Sequence, residues 1–181
     1  MPYYVIQVFS GKEEETIRRM KNELGISLDS FDFFVPKRKR IIKKAGPCSI
    51  KMETLFPGYI FIESNEQDII HLKKALYQVK TLTKLLGIDT KDKEKIAYLL
   101  PDEESFLNSI LGKENPNRTV EISHISLTEG KKIIVIDGPL KGFLGKIKKV
   151  NLHKRKVTIE TELMGNIIDA DLGIDFIEEV E

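Results

Sequence analysis

The spacing of apolar positions changes once along the chain, and the change divides it. Tyr3 to Phe9 is apolar at almost every position, which predicts a strand buried on both faces. Ser10-Gly11-Lys12-Glu13 follows with capping-box spacing: a serine oxygen for a free helix amide and a glutamate to reach back. Ile17, Met20 and Leu24 then recur at three- and four-residue intervals between charges, an amphipathic helix closed by Gly25. Phe31 to Val35 predicts a second strand. A basic run and the turn signal Gly46-Pro47 come next, predicting a long hairpin or an open loop. Gly58 to Ile62 is a third strand, entered through Pro57-Gly58. Ser64 or Asn65 is placed to cap a second helix with Ile69, Leu72 and Leu76 on one face. A short strand is expected around Thr83 to Leu86, ended by Gly87. The order strand, helix, strand, strand, helix, strand is that of the split β-α-β, ferredoxin-like arrangement.

Residues 91–111 read as a further helix through Ile96, Leu99, Leu100, Phe106 and Ile110. The stretch from Gly112 to Arg118 is polar and contains Pro116, which predicts a linker. Beyond it the period is two: Val157, Ile159, Thr161 and Leu163 alternate with Thr158, Glu160 and Glu162. Gly138-Pro139 and Gly165-Asn166 punctuate the strands, so a small β-barrel is expected. The fold class is α+β, with boundaries at 1–111, 112–122 (the linker) and 123–181.

Composition narrows the function classes. The chain has 181 residues with 41% hydrophobic side chains, enough for a packed core. Its single cysteine, Cys48, allows no internal disulfide and fits a reducing compartment. No stretch approaches the roughly 20 apolar residues of a membrane span. The start Met1-Pro2-Tyr3-Tyr4 lacks the basic and apolar parts of a signal peptide. A soluble, cytoplasmic monomer with no membrane contact is expected.

Net charge is only +1, from 29 basic and 28 acidic residues, but the basic ones are bunched. Lys37, Arg38, Lys39, Arg40, Lys43 and Lys44 lie in a stretch without an acid through Lys51, and Lys146, Lys148, Lys149, Lys154 and Arg155 in another. One-signed segments suit phosphate contact, with a nucleic acid as partner. The competing reading is a solvated face. Catalysis finds no support. There is no nucleophile elbow, and Gly145-Lys146 is followed by Ile147 where a phosphate loop needs a hydroxyl residue. His71, His124 and His153 have no metal-ligand spacing to one another or to Cys48. A non-enzyme without metal or cofactor is expected.

The two-part layout resembles the NusG family of transcription factors. The N-terminal part is similar to that family's N-terminal (NGN) domain, through Tyr3-Tyr4-Val5-Ile6-Gln7-Val8, Ser10-Gly11-Lys12-Glu13 and Phe56-Pro57-Gly58-Tyr59. The C-terminal part resembles its KOW barrel, through Gly138-Pro139-Leu140-Lys141-Gly142-Phe143-Leu144-Gly145. The resemblance covers nearly the whole chain, with the signatures in the family's order. It implies an apolar hollow on the NGN domain that receives the clamp helices of RNA polymerase. Tyr4, Phe56, Pro57, Gly58, Tyr59 and Phe61 are the expected docking residues, with at least one of the aromatics on an exposed patch. His71, with Lys73 nearby, matches a histidine-containing stretch that in specialised paralogs touches a loop across the polymerase cleft. The KOW domain of the family recruits a ribosomal protein or a termination factor. Phe143 and Met164 are the corresponding candidates here, Met164 standing where many members carry an aromatic. The turn Leu140-Lys141-Gly142 and the basic His153-Lys154-Arg155-Lys156 are similar to the specialised antiterminator paralog LoaP. The implied function is a transcription elongation factor promoting processive antitermination. The alternatives are a housekeeping NusG elongation and termination factor, or a ribosome-associated KOW RNA-binding protein.

Overall fold

The computed structural model describes residues 1–24, 28, 31–43, 47–87, 96–112, 115–127 and 133–177. In chain order the elements are β1 (Tyr3–Gln7), α1 (Glu13–Glu23), β2 (Asp32–Phe34), β3 (Lys37–Ile42), β4 (Ser49–Thr54), β5 (Tyr59–Glu63), α2 (Glu66–Leu76), β6 (Lys84–Leu85) and α3 (Pro101–Leu111). After them come β7 (Thr119–Val120), β8 (Ser123–Leu127), β9 (Ile133–Asp137), β10 (Lys146–Asn151), β11 (Lys156–Leu163) and β12 (Asn166–Phe176). The fold is α+β. Among the described residues no helix is long and apolar enough to cross a membrane.

Two compact units form, and they do not follow chain order. The first gathers Met1–Val35, Phe56–Ser105 and Leu163–Asn166; the second gathers Pro36–Leu55, Phe106–Glu162 and Ile167–Glu181. The basic hairpin therefore belongs to the second unit.

In the first unit the sheet runs β2-β5-β1-β6, the strand order of the split β-α-β arrangement. Its pairs are antiparallel, with Val5 opposite Phe61 and Gln7 opposite Tyr59. Alternation sends Tyr4, Ile6, Ile60 and Ile62 to one face, where they share a core with Met20 of α1 and with Ile69, Leu72 and Leu76 of α2. The strand expected over Tyr3 to Phe9 ends earlier, and Phe9 is 58% exposed. Helix α1 starts later than the capping-box spacing suggests. Its N-cap is Lys12, which makes no side-chain cap. Gly11 turns the chain at φ 78°, which delays the first helical residue to Glu13. Gly25, the expected stop, lies outside the described residues. Asn65, rather than Ser64, caps α2 by accepting the Asp68 amide at 2.9 Å. Helix α3 begins only at Pro101, because the residues before a proline resist helical angles while proline suits the first turn. Glu103 then accepts the Leu100 amide at 2.8 Å. Of the longer helix expected over 91–111, residues 91–95 lie outside the described residues and 96–100 are not helical.

The second unit holds a five-stranded sheet, β10-β11-β12-β8-β9, and a three-stranded one, β4-β3-β7. The period of two in β11 is realised: Val157 and Ile159 are buried, while Thr158 and Glu160 are half-exposed. β12 pairs in parallel with β8, Ile174 opposite Ser123. The stretch expected as a linker carries β7, which pairs in parallel with β3. There Asn115 Nδ2 donates to the carbonyls of Leu111 at 3.1 Å and Thr119 at 2.6 Å. β12 passes so close to β3 that a Cβ on Gly173 would lie 2.4 Å from the Lys39 carbonyl oxygen. Only glycine permits that approach.

Candidate functional site

The two N-terminal signatures form one structure. Glu13, 3% exposed, aims its carboxylate away from its own helix. Oε1 accepts the Gly11 amide at 2.9 Å and the Gly58 amide at 2.6 Å. Gly58 sits at φ 90°, where a side chain is strained, and a Cβ there would lie 3.3 Å from the Val8 carbonyl oxygen. Its own carbonyl accepts the Val8 amide at 2.8 Å, and Tyr59 N donates to Phe56 O at 3.3 Å. Spacing alone marks this glutamate as a capping partner of Ser10. The glycines at 11 and 58 are the signal for its other role, since each marks a backbone amide turned by a left-handed residue.

The aromatic residues of this region divide by strand face. Tyr4 points into the helical core. Phe61 stacks on Phe34 with ring centroids 5.5 Å apart and lies 5.8 Å from Phe56, and Tyr3 meets Phe34 edge-on at 5.6 Å. Tyr4, Phe56 and Phe61 are all buried, Phe56 at 3% exposure. The expectation of an exposed surface is therefore corrected for these three: Tyr4 lies in the helical core, and Phe56 and Phe61 pack together beneath the turn. Tyr59 is half-exposed and Pro57 is exposed. Phe9 on the neighbouring turn is exposed, although the apolar run of Tyr3 to Phe9 predicts it in a buried strand. His71 is exposed on α2 and Lys73 half-buried. Lys73 lines a cleft of about 370 Å³ with Leu76, Tyr77, Thr83, Lys84 and Leu85.

The basic hairpin has counter-charges after all. Arg38 donates to Glu53 Oε2 at 3.0 Å and to the Asp171 carbonyl at 2.5 Å, and pairs with the Asp171 carboxylate at 3.5 Å. Arg40 reaches Glu53 at 3.4 Å, as does Lys51, and Lys39 pairs with Glu121 at 2.7 Å. Burial pushes the Glu53 carboxyl upward, but the Arg38 hydrogen bond and the charges of Arg38 and Arg40 outweigh it and hold the group below its ordinary value. Asp171 is likewise raised by burial and lowered further by hydrogen bonds from Lys156 and Thr158 and by Arg38. Arg38, only 13% exposed, is tied into the second unit and is not aimed at solvent. Lys37 also makes an interaction of its own. Lys43 remains exposed, and Lys44 lies outside the described residues.

The other basic stretch is mixed. Lys146 pairs with Glu160 at 3.0 Å, Lys148 with Asp169 at 2.9 Å, and Arg155 with Asp175. Lys149 and Lys154 are exposed, with no ion pair among the described residues. Phe143 is half-buried, its ring 6.2 Å from that of Phe106, while Leu144 is 99% exposed. Both line a cleft of about 490 Å³ with Pro139, Lys141 and Thr161. Met164 departs from its expected role as a contact residue: it is 4% exposed at φ 52°, in a turn where Gly165 N donates to Glu103 Oε1 at 3.4 Å. Among the described residues no three His, Cys, Asp or Glu side chains gather to hold a metal.

Comparison with known proteins gives a family for each half. The model of the family described as "Transcription termination factor nusG" matches residues 1–107, and that of the KOW motif matches residues 129–160. The chain is similar to the transcription termination/antitermination protein NusG of Helicobacter pylori, 22% identical with 99% of each chain covered. The protein of that name from Bacillus subtilis is 24% identical, with 98% of each chain covered. That from Thermus thermophilus is 22% identical over 99% of this chain and 97% of its own.

Proposed function

The chain belongs to the NusG family of transcription factors, and we propose that it binds RNA polymerase and promotes processive antitermination as a specialised paralog of the LoaP kind. The docking segment in this reading is the turn of Pro57, Gly58 and Tyr59, with the clamp helices of the polymerase as partner. The observation that carries it is the Glu13 carboxylate bonded to Gly58, which fixes an exposed proline and a half-exposed tyrosine above a closed aromatic core. Such apolar groups, rigidly held at the surface, suit a protein partner. The mechanism is differential binding: a factor that prefers the closed, elongating polymerase shifts its population away from paused states. The reading is that of a cytoplasmic binding protein, not an enzyme.

Met164 favours the specialised role over the housekeeping one. Where many family members offer an aromatic to a ribosomal protein or termination factor, this chain has a buried methionine. The free ammonium groups of Lys149 and Lys154, with Lys43, suit a leader RNA hairpin or upstream DNA. The test is transcription through a terminator placed behind a long leader, with and without the protein. Read-through that rises with the protein supports the reading. Enhanced termination would favour the housekeeping role, and failure to co-purify with core polymerase would favour a ribosome-associated one.

A further inference from the structure

Glu13 and Gly58 stand 45 positions apart, yet one carboxylate oxygen joins their two turns. We propose that Glu13 is a positioning residue of the docking site, setting the two turns that present Phe9 and Tyr59 to the polymerase, so that Phe9 is a further contact residue. The inference rests on the polymerase-docking reading given above. Both amides that Glu13 accepts belong to glycines in the left-handed region, φ 78° at Gly11 and 90° at Gly58. Glycine has the freest backbone of any residue, so these turns need an external tie to hold one shape. Each has a backbone bond as well: Lys12 N to Phe9 O at 3.0 Å, and Val8 N to Gly58 O at 2.8 Å. The carboxylate supplies the only bond among those described that links the two turns through a side chain.

The chemistry suits a buried acid. Glu13 is the first residue of α1, where the helix end favours negative charge. N–H bonds to a carboxylate are shorter and stronger than those to a neutral oxygen. Without the acceptor the buried Gly58 amide loses its partner, and the peptide between Pro57 and Gly58 is free to rotate. Phe9 and Tyr59 are the residues that gain from rigidity. Phe9 lies just beyond the end of β1, Tyr59 opens β5, and Val8 and Gly58 between them are hydrogen-bonded.

The experiment measures binding of the full-length chain to core RNA polymerase for five variants: Phe9→Ala, Tyr59→Ala, Glu13→Ala, Glu13→Asp and Glu13→Gln. Amide hydrogen exchange at Gly58 is followed in the last three. Phe9→Ala and Tyr59→Ala are each expected to weaken binding about tenfold, as central aromatics do. Glu13→Ala should weaken it about as much, and Glu13→Asp should follow, because a side chain one methylene shorter cannot reach both amides. Glu13→Gln keeps an acceptor oxygen at the same reach. It should stay within about threefold of the parent, with Gly58 still protected from exchange. If Tyr59→Ala and Phe9→Ala both bind as the parent does, the docking reading fails and the inference falls with it. If they weaken binding while Glu13→Asp matches the parent, the positioning role is overturned and the docking site stands. The positioning role is equally overturned if Glu13→Gln is as weak as Glu13→Asp. Those two variants decide between the outcomes even if Glu13→Ala does not fold.

Discussion

Glu13 in the first unit and Glu53 in the second are both carboxylates withdrawn from water, and they are held in opposite ways. Glu13 takes two neutral backbone amides. Glu53 takes Arg38, Arg40 and Lys51. An acid satisfied by amides fixes backbone and leaves the charges around it untouched. An acid shared by three cations ties their donor groups inward, so the run keeps an excess of positive charge but its arginines are no longer free to reach a ligand. The comparison separates the two candidate surfaces: a sculpted turn in one unit and an internally paired hairpin in the other.

The hardest blow to the second arrangement is steric. Gly173→Val places atoms where the Lys39 carbonyl already stands, at 2.4 Å from the Cβ position. Backbone cannot yield as a flexible side chain can, so a loss of about 3 kcal/mol or more is expected. Residue-resolved hydrogen exchange is the measurement. Amides of β3 and β12 should lose protection while those of β1 and β5 keep it. Equal loss in both groups would show that the two units do not unfold separately.

Removing Arg38 tests the charges without the clash. Arg38→Ala leaves Glu53 and Asp171 short of their shared partner and should cost about 2 kcal/mol by urea denaturation. An unchanged midpoint would reduce the cluster to a solvated face. The same variant carries a pH signature. Glu53 and Asp171 are both lowered in the folded chain, so the unfolded chain binds protons first as pH falls. The stability they contribute is present above the ordinary carboxylate range near about 4 and is lost as pH drops through their folded values. Stability of the parent should therefore fall below about pH 4 more steeply than that of Arg38→Ala. Parallel curves would deny the linkage.

Much of this fold is legible in the sequence because it is set by neighbours. Ile69, Leu72 and Leu76 announce α2 by helical spacing, and Val157 and Ile159 announce β11 by alternation. The sites are legible only in part, because partners at a distance decide them. Arg38 meets its acids 15 and 133 positions away, and no local window contains Asp171. Phe56 and Tyr59 are equivalent as letters, yet one is buried and the other half-exposed. Met164 is visible as a departure from the family's aromatic, but its burial depends on a turn with positive φ that the Gly165-Asn166 signal only hints at.

The smallest expected effect sharpens the comparison most, because it separates the two basic stretches by charge alone. Lys149 and Lys154 have no ion pair among the described residues, whereas Arg38 and Arg40 are paired. An ammonium free of a carboxylate can neutralise a phosphate and release its counterion. A guanidinium already bonded to Glu53 must first give up that partner. Binding to a leader RNA hairpin should therefore weaken for Lys149→Ala and Lys154→Ala, with the log–log salt slope falling by at most about 0.7 to 0.9 for each phosphate no longer neutralised. Stability should stay within about 0.5 kcal/mol of the parent, as for other exposed side chains. Arg40→Gln, compared under conditions where all three variants are folded, should leave the slope as it is. A salt titration for the three variants reads all of this at once. If Arg40→Gln lowers the slope as much as either lysine variant, the hairpin gives up its internal pairs to reach nucleic acid, and the contrast between a paired charge cluster and a free one does not hold.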